Sequence, residues 1–183
     1  NNFLNCGSFK LQPDGRIHAQ KSHAAAVHFL LLDDLGGKVP RENLGKFKLS
    51  WLIETSPGNF QGGIIFNRPL SVQEADRLLD AVVRKGLSDP GATGAATRWA
   101  RLPVGINGKE KYRAADDSPF QCRLVEWHPD RRYTAGDVFV GLKLLEVAAE
   151  RTRSEPPSAI GDHSPPATPI PIEKIAALLK HLD

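Results

Sequence analysis

The apolar positions of this chain change period several times. From Ala26 a short run, AVHFLLLDD, ends abruptly in two acids and Leu35-Gly36-Gly37, which is how a buried strand gives way to a loop. A second β-rich run covers Lys48 to Thr55 and stops at Ser56-Pro57-Gly58-Asn59. A third follows from Phe60 to Asn67, and four turn-forming residues between two such runs predict an antiparallel hairpin. After Pro69 the period becomes helical. Ser71 with Glu74 three residues on is a capping box, and Ala75, Leu78, Leu79, Val82 and Val83 form one apolar stripe that stops at Gly86.

The second half is less regular. A loop rich in Gly, Ala and Thr runs from Asp89 to Thr97, and the two glycines and one proline of RWARLPVGINGKEKYR predict no regular element there. Phe120 to Trp127 alternates as a strand does, and a second capped helix is expected from near Thr134 through Glu150. Six of the fourteen prolines then fall between Pro156 and Pro171, a stretch with almost nothing to bury. The expected organisation is a domain over residues 1–152, a Pro-rich linker over 153–171 and a short helix over 172–183. Strands and helices interleave around at least one hairpin, so the fold class is α+β with a mainly antiparallel sheet.

The 183 residues have room for one ordinary domain and an appendage. No apolar run approaches the roughly 18 residues of a membrane span, and two cysteines, Cys6 and Cys122, are too few for a disulfide framework; the expected setting is the reducing cytoplasm. The chain lacks methionine and opens at Asn1, which reads as a piece of a longer polypeptide. Three histidines, His18, His23 and His28, recur every five residues, a spacing that shares neither a helix face nor a strand face. They read as ordinary surface or partly buried histidines and not as a shared metal site.

Net charge is +3, which permits a nucleic-acid or phosphate partner without requiring one. Its distribution says more. Between Arg98 and Arg113 five cations, Arg98, Arg101, Lys109, Lys111 and Arg113, face only Glu110, a local +4. Cations concentrated in a glycine-containing loop suit phosphate, and Trp99 and Tyr112 beside them offer stacking faces. The acids lie elsewhere: Asp33 and Asp34 end the first strand, and Asp89 precedes the basic segment. Carboxylates at the end of a buried strand suit a hard divalent ion, and equally a strand ending in a solvated loop. Neighbouring residues on a strand point to opposite faces, so both acids reach one site only if the chain bends, for which Gly36 and Gly37 are the expected place. No GxxxxGK[ST] loop, GxGxxG, HExxH or GxSxG is present.

The order LLLDDLGG, IETSPGNFQGGIIF, capped helix, SDPGATGAATRWARLPVGINGK resembles the RepB-type primases of plasmids, phages and other mobile elements, a branch of the archaeo-eukaryotic primase superfamily, over roughly residues 26–127. That resemblance implies a primase-like core with an RRM-like sheet and flanking helices. It implies a DNA primase or primase-polymerase that joins nucleoside triphosphates on a single-stranded DNA template, with Mg²⁺ or Mn²⁺ held by Asp33, Asp34 and Asp89. Ser56, Asn59 and Gln61 stand in the motif that meets the incoming nucleotide, where many relatives have a histidine in place of Gln61. Arg98, Arg101, Asn107 and Lys109 are expected on the nucleotide and template side; Val104 is inserted where the family pattern often reads RLPG. A linked or associated helicase or helical domain is the expected partner. The alternative is a non-catalytic module that recognises origin or template DNA within a larger replication protein; a metal-dependent nuclease using the same acids is a weaker third.

Overall fold

The computed structural model describes residues 2–91 and 94–145. Ten strands are formed there: β1 Phe3–Asn5, β2 Gly7–Phe9, β3 Ala24–Leu35, β4 Trp51–Ser56, β5 Asn59–Leu70, β6 Trp99–Arg101, β7 Ile106–Asn107, β8 Phe120–Gln121, β9 Arg123–Trp127 and β10 Arg132–Tyr133. Two α-helices accompany them, α1 Val72–Arg84 and α2 Ala135–Gly141. The main sheet has the order β2-β3-β5-β4-β9 with antiparallel neighbours, and β10 adds to β5 in parallel at Ile65 and Phe66. This is the expected α+β architecture. The linker over 153–171, the tail helix over 172–183 and the boundary at 152 lie outside the described residues.

The centre of the sheet is where the apolar runs are longest. Leu30, Leu31, Leu32 and Ile64 are almost fully buried, and α1 packs its stripe of Ala75, Leu78, Leu79 and Val82 against β3. Burying such residues contributes about 1.5–3 kcal/mol each for the larger side chains. The capping box closes as the sequence predicts: Ser71 accepts from the Glu74 backbone and Glu74 reaches back to the Ser71 N–H. On one face of the sheet the indole of Trp51 lies across Gly63, its ladder partner, where a Cβ would stand 1.9 Å from the ring. Gly63 of FQGGIIF is therefore a packing requirement of that indole, while its neighbour Gly62 faces the Leu49 and Leu35 side chains.

Three sequence expectations change. The segment from Arg98 to Arg113 does form regular structure, because β6 pairs with β1 at the start of the chain and β7 pairs with β8. Those partners are remote in sequence, so no local pattern announces them. Phe120 to Trp127 is two strands broken at Cys122, whose N–H binds the Gly105 carbonyl and whose carbonyl accepts from Val104. The second helix does not run from Thr134 to Glu150 without interruption: α2 stops at Gly141, which abuts the Phe47 ring, and Lys143 turns the chain at φ 53°. Residues from Glu146 on lie outside the described part.

Candidate active site

The acids of β3 sit in a β-bulge. Leu32 pairs with Gly62 and Leu35 with Phe60, so Asp33 and Asp34 together oppose the single residue Gln61. Asp34 takes the left-handed conformation at φ 64°, which Asp tolerates better than most residues, and its N–H bonds the Asp33 carboxylate at 2.9 Å. The bend that lets adjacent acids face one side is thus at Asp34 itself, two residues before Gly36. Gly36, at φ 83°, closes the next turn through its N–H to the Val39 carbonyl.

Each carboxylate has named partners. Gln61 Nε2 donates to Asp33 Oδ1 at 3.2 Å, and Asn59 Nδ2 donates to Asp34 Oδ1 at 2.5 Å. Asp89 comes from the loop after α1. Its backbone N–H bonds the Asp33 carbonyl at 3.1 Å, and Ser88 Oγ accepts from the Asp33 N–H at 3.0 Å, so the loop is stitched to the outer edge of β3. Lys38 joins the two sources: its Nζ lies 3.0 Å from Asp89 Oδ2 and 3.5 Å from Asp34 Oδ2. Lys38 and the Gly91 N–H hold the Asp89 carboxyl below the usual carboxylate range, while the Asp89 hydrogen bond raises the Lys38 ammonium.

Arg98 seals the same edge from inside. Only 4% exposed, it donates to the Leu31 carbonyl at 2.7 Å, to Ser88 Oγ at 3.0 Å and to the Asp89 carbonyl at 3.1 Å. Burial lowers its pKa, opposed by the charges of Asp33, Cys6 and Asp89. Gln61 ties β6 to the sheet: Oε1 accepts from the Arg101 N–H at 2.8 Å, and Nε2 also reaches the Trp99 carbonyl at 3.4 Å. The Arg101 guanidinium lies over the Phe3 ring, 4.9 Å from its centre.

The remaining predicted residues line the hairpin end. Asn107 is buried and donates to the Thr55 carbonyl at 2.6 Å; its Oδ1 accepts from the Lys109 N–H. Ser56 hydrogen-bonds Tyr112, which with Lys111 lowers the Tyr112 hydroxyl pKa. The structure therefore brings Asp33, Asp34, Asn59, Gln61, Asp89, Arg98 and the Arg101 backbone into one connected network. Ser56, Asn107 and Lys109 belong to the adjoining tip. Lys38 and Ser88 are the residues the sequence reading missed. Lys38, four residues after Asp34, was open to notice; Ser88 was hidden in a turn.

Among the described residues no group of three or more His, Cys, Asp or Glu side chains is close enough as it stands to hold an ion. The donor set nevertheless suits a hard divalent cation. It is all oxygen, and Asn59 Oδ1 is buried without a hydrogen-bond partner. The backbone also comes close there: a Cβ on Gly37 would lie 2.8 Å from Asp34 Oδ1 and 3.2 Å from Asn59 Oδ1. Of these oxygen donors, Lys38 occupies those of Asp34 and Asp89.

The family model described as the RepB DNA-primase N-terminal domain matches residues 3–141. The chain belongs to that family. Among solved structures it is similar to the archaeo-eukaryotic primase domain of the cyanophage S-2L primase-polymerase, at TM-score 0.56 and 12% identity, over 76% of this chain and 69% of that one. It is also similar to the primase RepB′ at TM-score 0.49 and 16% identity, over 91% of this chain and 48% of that one. A third likeness is to the catalytic domain of primase RepB′ in complex with initiator DNA, at TM-score 0.48 and 17% identity, over 70% and 64%. No curated protein matches. The fold is that of an archaeo-eukaryotic primase core, with a mainly antiparallel RRM-like sheet and flanking helices. No helix among the described residues is long and apolar enough to cross a membrane.

Proposed function

We propose that this RepB-type domain is a nucleotidyltransferase that synthesises primers on single-stranded DNA from nucleoside triphosphates. The observation that carries the reading is the bulge that sets Asp33 and Asp34 against Gln61 with Asp89 fastened alongside. Three acids from two separated segments meet on one strand end, and a merely solvated turn needs none of the stitching by Ser88 and Arg98.

Asp33, Asp34 and Asp89 are the residues that would hold divalent metal, with the Asn59 carbonyl oxygen beside them. Magnesium or manganese held there would lower the pKa of the attacking 3′-hydroxyl and neutralise charge on the pyrophosphate leaving group. The protein's own part is orientation. Gln61 fixes the Asp33 carboxylate and the β6 backbone at once, Asn59 fixes Asp34, and Arg98 holds strand edge and acidic loop in register. Arg101 and Lys109 remain as the cations for triphosphate or template phosphates, worth most in a preorganised site. Trp99, 55% exposed with Phe3 packed at its edge, is a stacking face for a template base.

The test is extension of labelled nucleotides on single-stranded DNA with Mg²⁺ or Mn²⁺. Oligonucleotide products are expected from the wild type and none from Asp33→Asn with Asp34→Asn. Salt-sensitive DNA binding without metal-dependent products from any template would instead support the non-catalytic alternative, and shortened template would indicate a nuclease.

A further inference from the structure

Resting on that reading of the acids as metal ligands, we propose that Lys38 is a built-in competitor for the divalent cation: its ammonium bridges Asp34 and Asp89 until metal enters, and must leave them when it does. The geometry is that of a stand-in. The ammonium shares the Oδ2 atoms of two carboxylates from different segments, at 3.0 and 3.5 Å. An ion bound to those oxygens would sit against the ammonium at a distance where like charges repel strongly.

Two further features separate Lys38 from an ordinary surface ion pair. Its backbone is pinned in the turn that follows the bulge, where the Val39 N–H bonds the Asp34 carbonyl at 3.0 Å and the Gly36 N–H bonds the Val39 carbonyl at 2.7 Å. Its side chain is 68% exposed, so it can swing into water with no packing to undo. Lys38 also leaves the site incomplete. It neutralises carboxylates, while the buried Asn59 Oδ1 next to Asp34 stays unpartnered. An ammonium has three donors and one position, whereas Mg²⁺ or Mn²⁺ can take the carboxylates together with a neutral carbonyl oxygen. Once displaced, the ammonium stays tethered at the rim as a point charge for phosphate.

The experiment is Mn²⁺ binding to the full chain without nucleotide, followed by the paramagnetic resonance signal of free Mn²⁺ at low ionic strength. Lys38→Met is expected to bind Mn²⁺ about threefold to tenfold more tightly than wild type, the scale of two partly exposed ion pairs on one cation. Lys38→Arg should restore wild-type affinity, and the gain from Lys38→Met should shrink in an Asp89→Asn background. Lys38→Gln gives the same readout if the Met variant folds poorly. Equal or weaker Mn²⁺ binding by Lys38→Met and Lys38→Gln, with binding still abolished by Asp34→Asn, overturns the role of Lys38 and leaves the metal reading standing. Absence of saturable Mn²⁺ binding in wild type and all variants overturns both.

Discussion

Arg98 offers the sharpest separation between a residue that grips substrate and one that builds the platform. Its guanidinium is buried and makes charge-assisted bonds to two carbonyls and a hydroxyl, beside the carboxylates of Asp33 and Asp89. Replacing it with Met keeps much of the stem but strands those acceptors and removes the buried positive charge that acts on Asp33 and Asp89. Breaking a buried charged network by removing one partner costs about 3–5 kcal/mol. At roughly 2–4 °C per kcal/mol for a chain of this size, Arg98→Met should lower the melting temperature by about 10 °C. Differential scanning calorimetry and urea titration of the two proteins measure this directly. Activity measured where the variant is still folded should fall mainly in kcat, because the Asp33–Asp89 register loosens. Arg101→Met, whose guanidinium lies on an aromatic ring, should cost less than about 1 kcal/mol. If Arg98→Met were within about 1 kcal/mol of wild type and raised only the KM for nucleotide, the platform role would be wrong and Arg98 would be a substrate ligand.

Other expectations are cheaper to check. Gly63→Ala forces a methyl into the Trp51 indole and should cost about 1–3 kcal/mol in chemical denaturation, partly recovered by Trp51→Phe. Gly62→Ala meets mainly the movable end of Leu49 and should cost less. Val104 sits at φ 59° and is 68% exposed, a strained conformation for a β-branched residue; Val104→Gly should stabilise by about 1 kcal/mol, read as a rise in melting temperature. Glu74 is held below its ordinary pKa of 4.5, first by the Ser71 backbone N–H. A depressed carboxyl stabilises the fold above the unfolded pKa and loses that contribution as pH falls through the folded one. The stability difference between wild type and Glu74→Gln should therefore be about 0.5 kcal/mol near neutrality and fade below about pH 4.5.

How far the sequence reaches depends on whether the determining contact is local. The α1 capping box, its stripe, the β4–β5 hairpin and the strand ending at Asp33-Asp34 are legible because each is written within a dozen residues. The β6–β1 and β7–β8 pairs are not, since the partners of Trp99–Arg101 and Ile106–Asn107 are chosen by tertiary position. The same limit governs the site. Asp33, Asp34 and Asp89 are picked out as candidates by residue type and by family resemblance, and in the structure Asp89 is linked to Asp33 through backbone and to Asp34 through Lys38. A +4 count along Arg98–Arg113 treats all its cations alike, whereas Arg98 is buried inside the fold and Arg101 is only half-buried, over the Phe3 ring. Burial distinguishes them, and burial of a charged residue has no signature in a charge count.

The bulge also decides which variants can test the chemistry. Asp34 combines a functional carboxylate with a left-handed backbone, and these two properties fail differently under substitution. Alanine at 34 removes the charge and also introduces a residue that resists φ 64°, so lost activity would not identify its cause. Glycine relaxes the backbone and loosens the unfolded chain as well. Asparagine keeps both the shape and the left-handed tolerance while removing the charge and turning one acceptor oxygen into a donor, the two properties that Lys38 and a metal would contest. An Asp34→Asn protein that melts close to wild type, yet neither binds Mn²⁺ nor extends a primer, assigns the loss to the carboxylate itself and not to the backbone; one that melts well below wild type shows that the carboxylate's bonds to Asn59 and Lys38 are what hold the bulge.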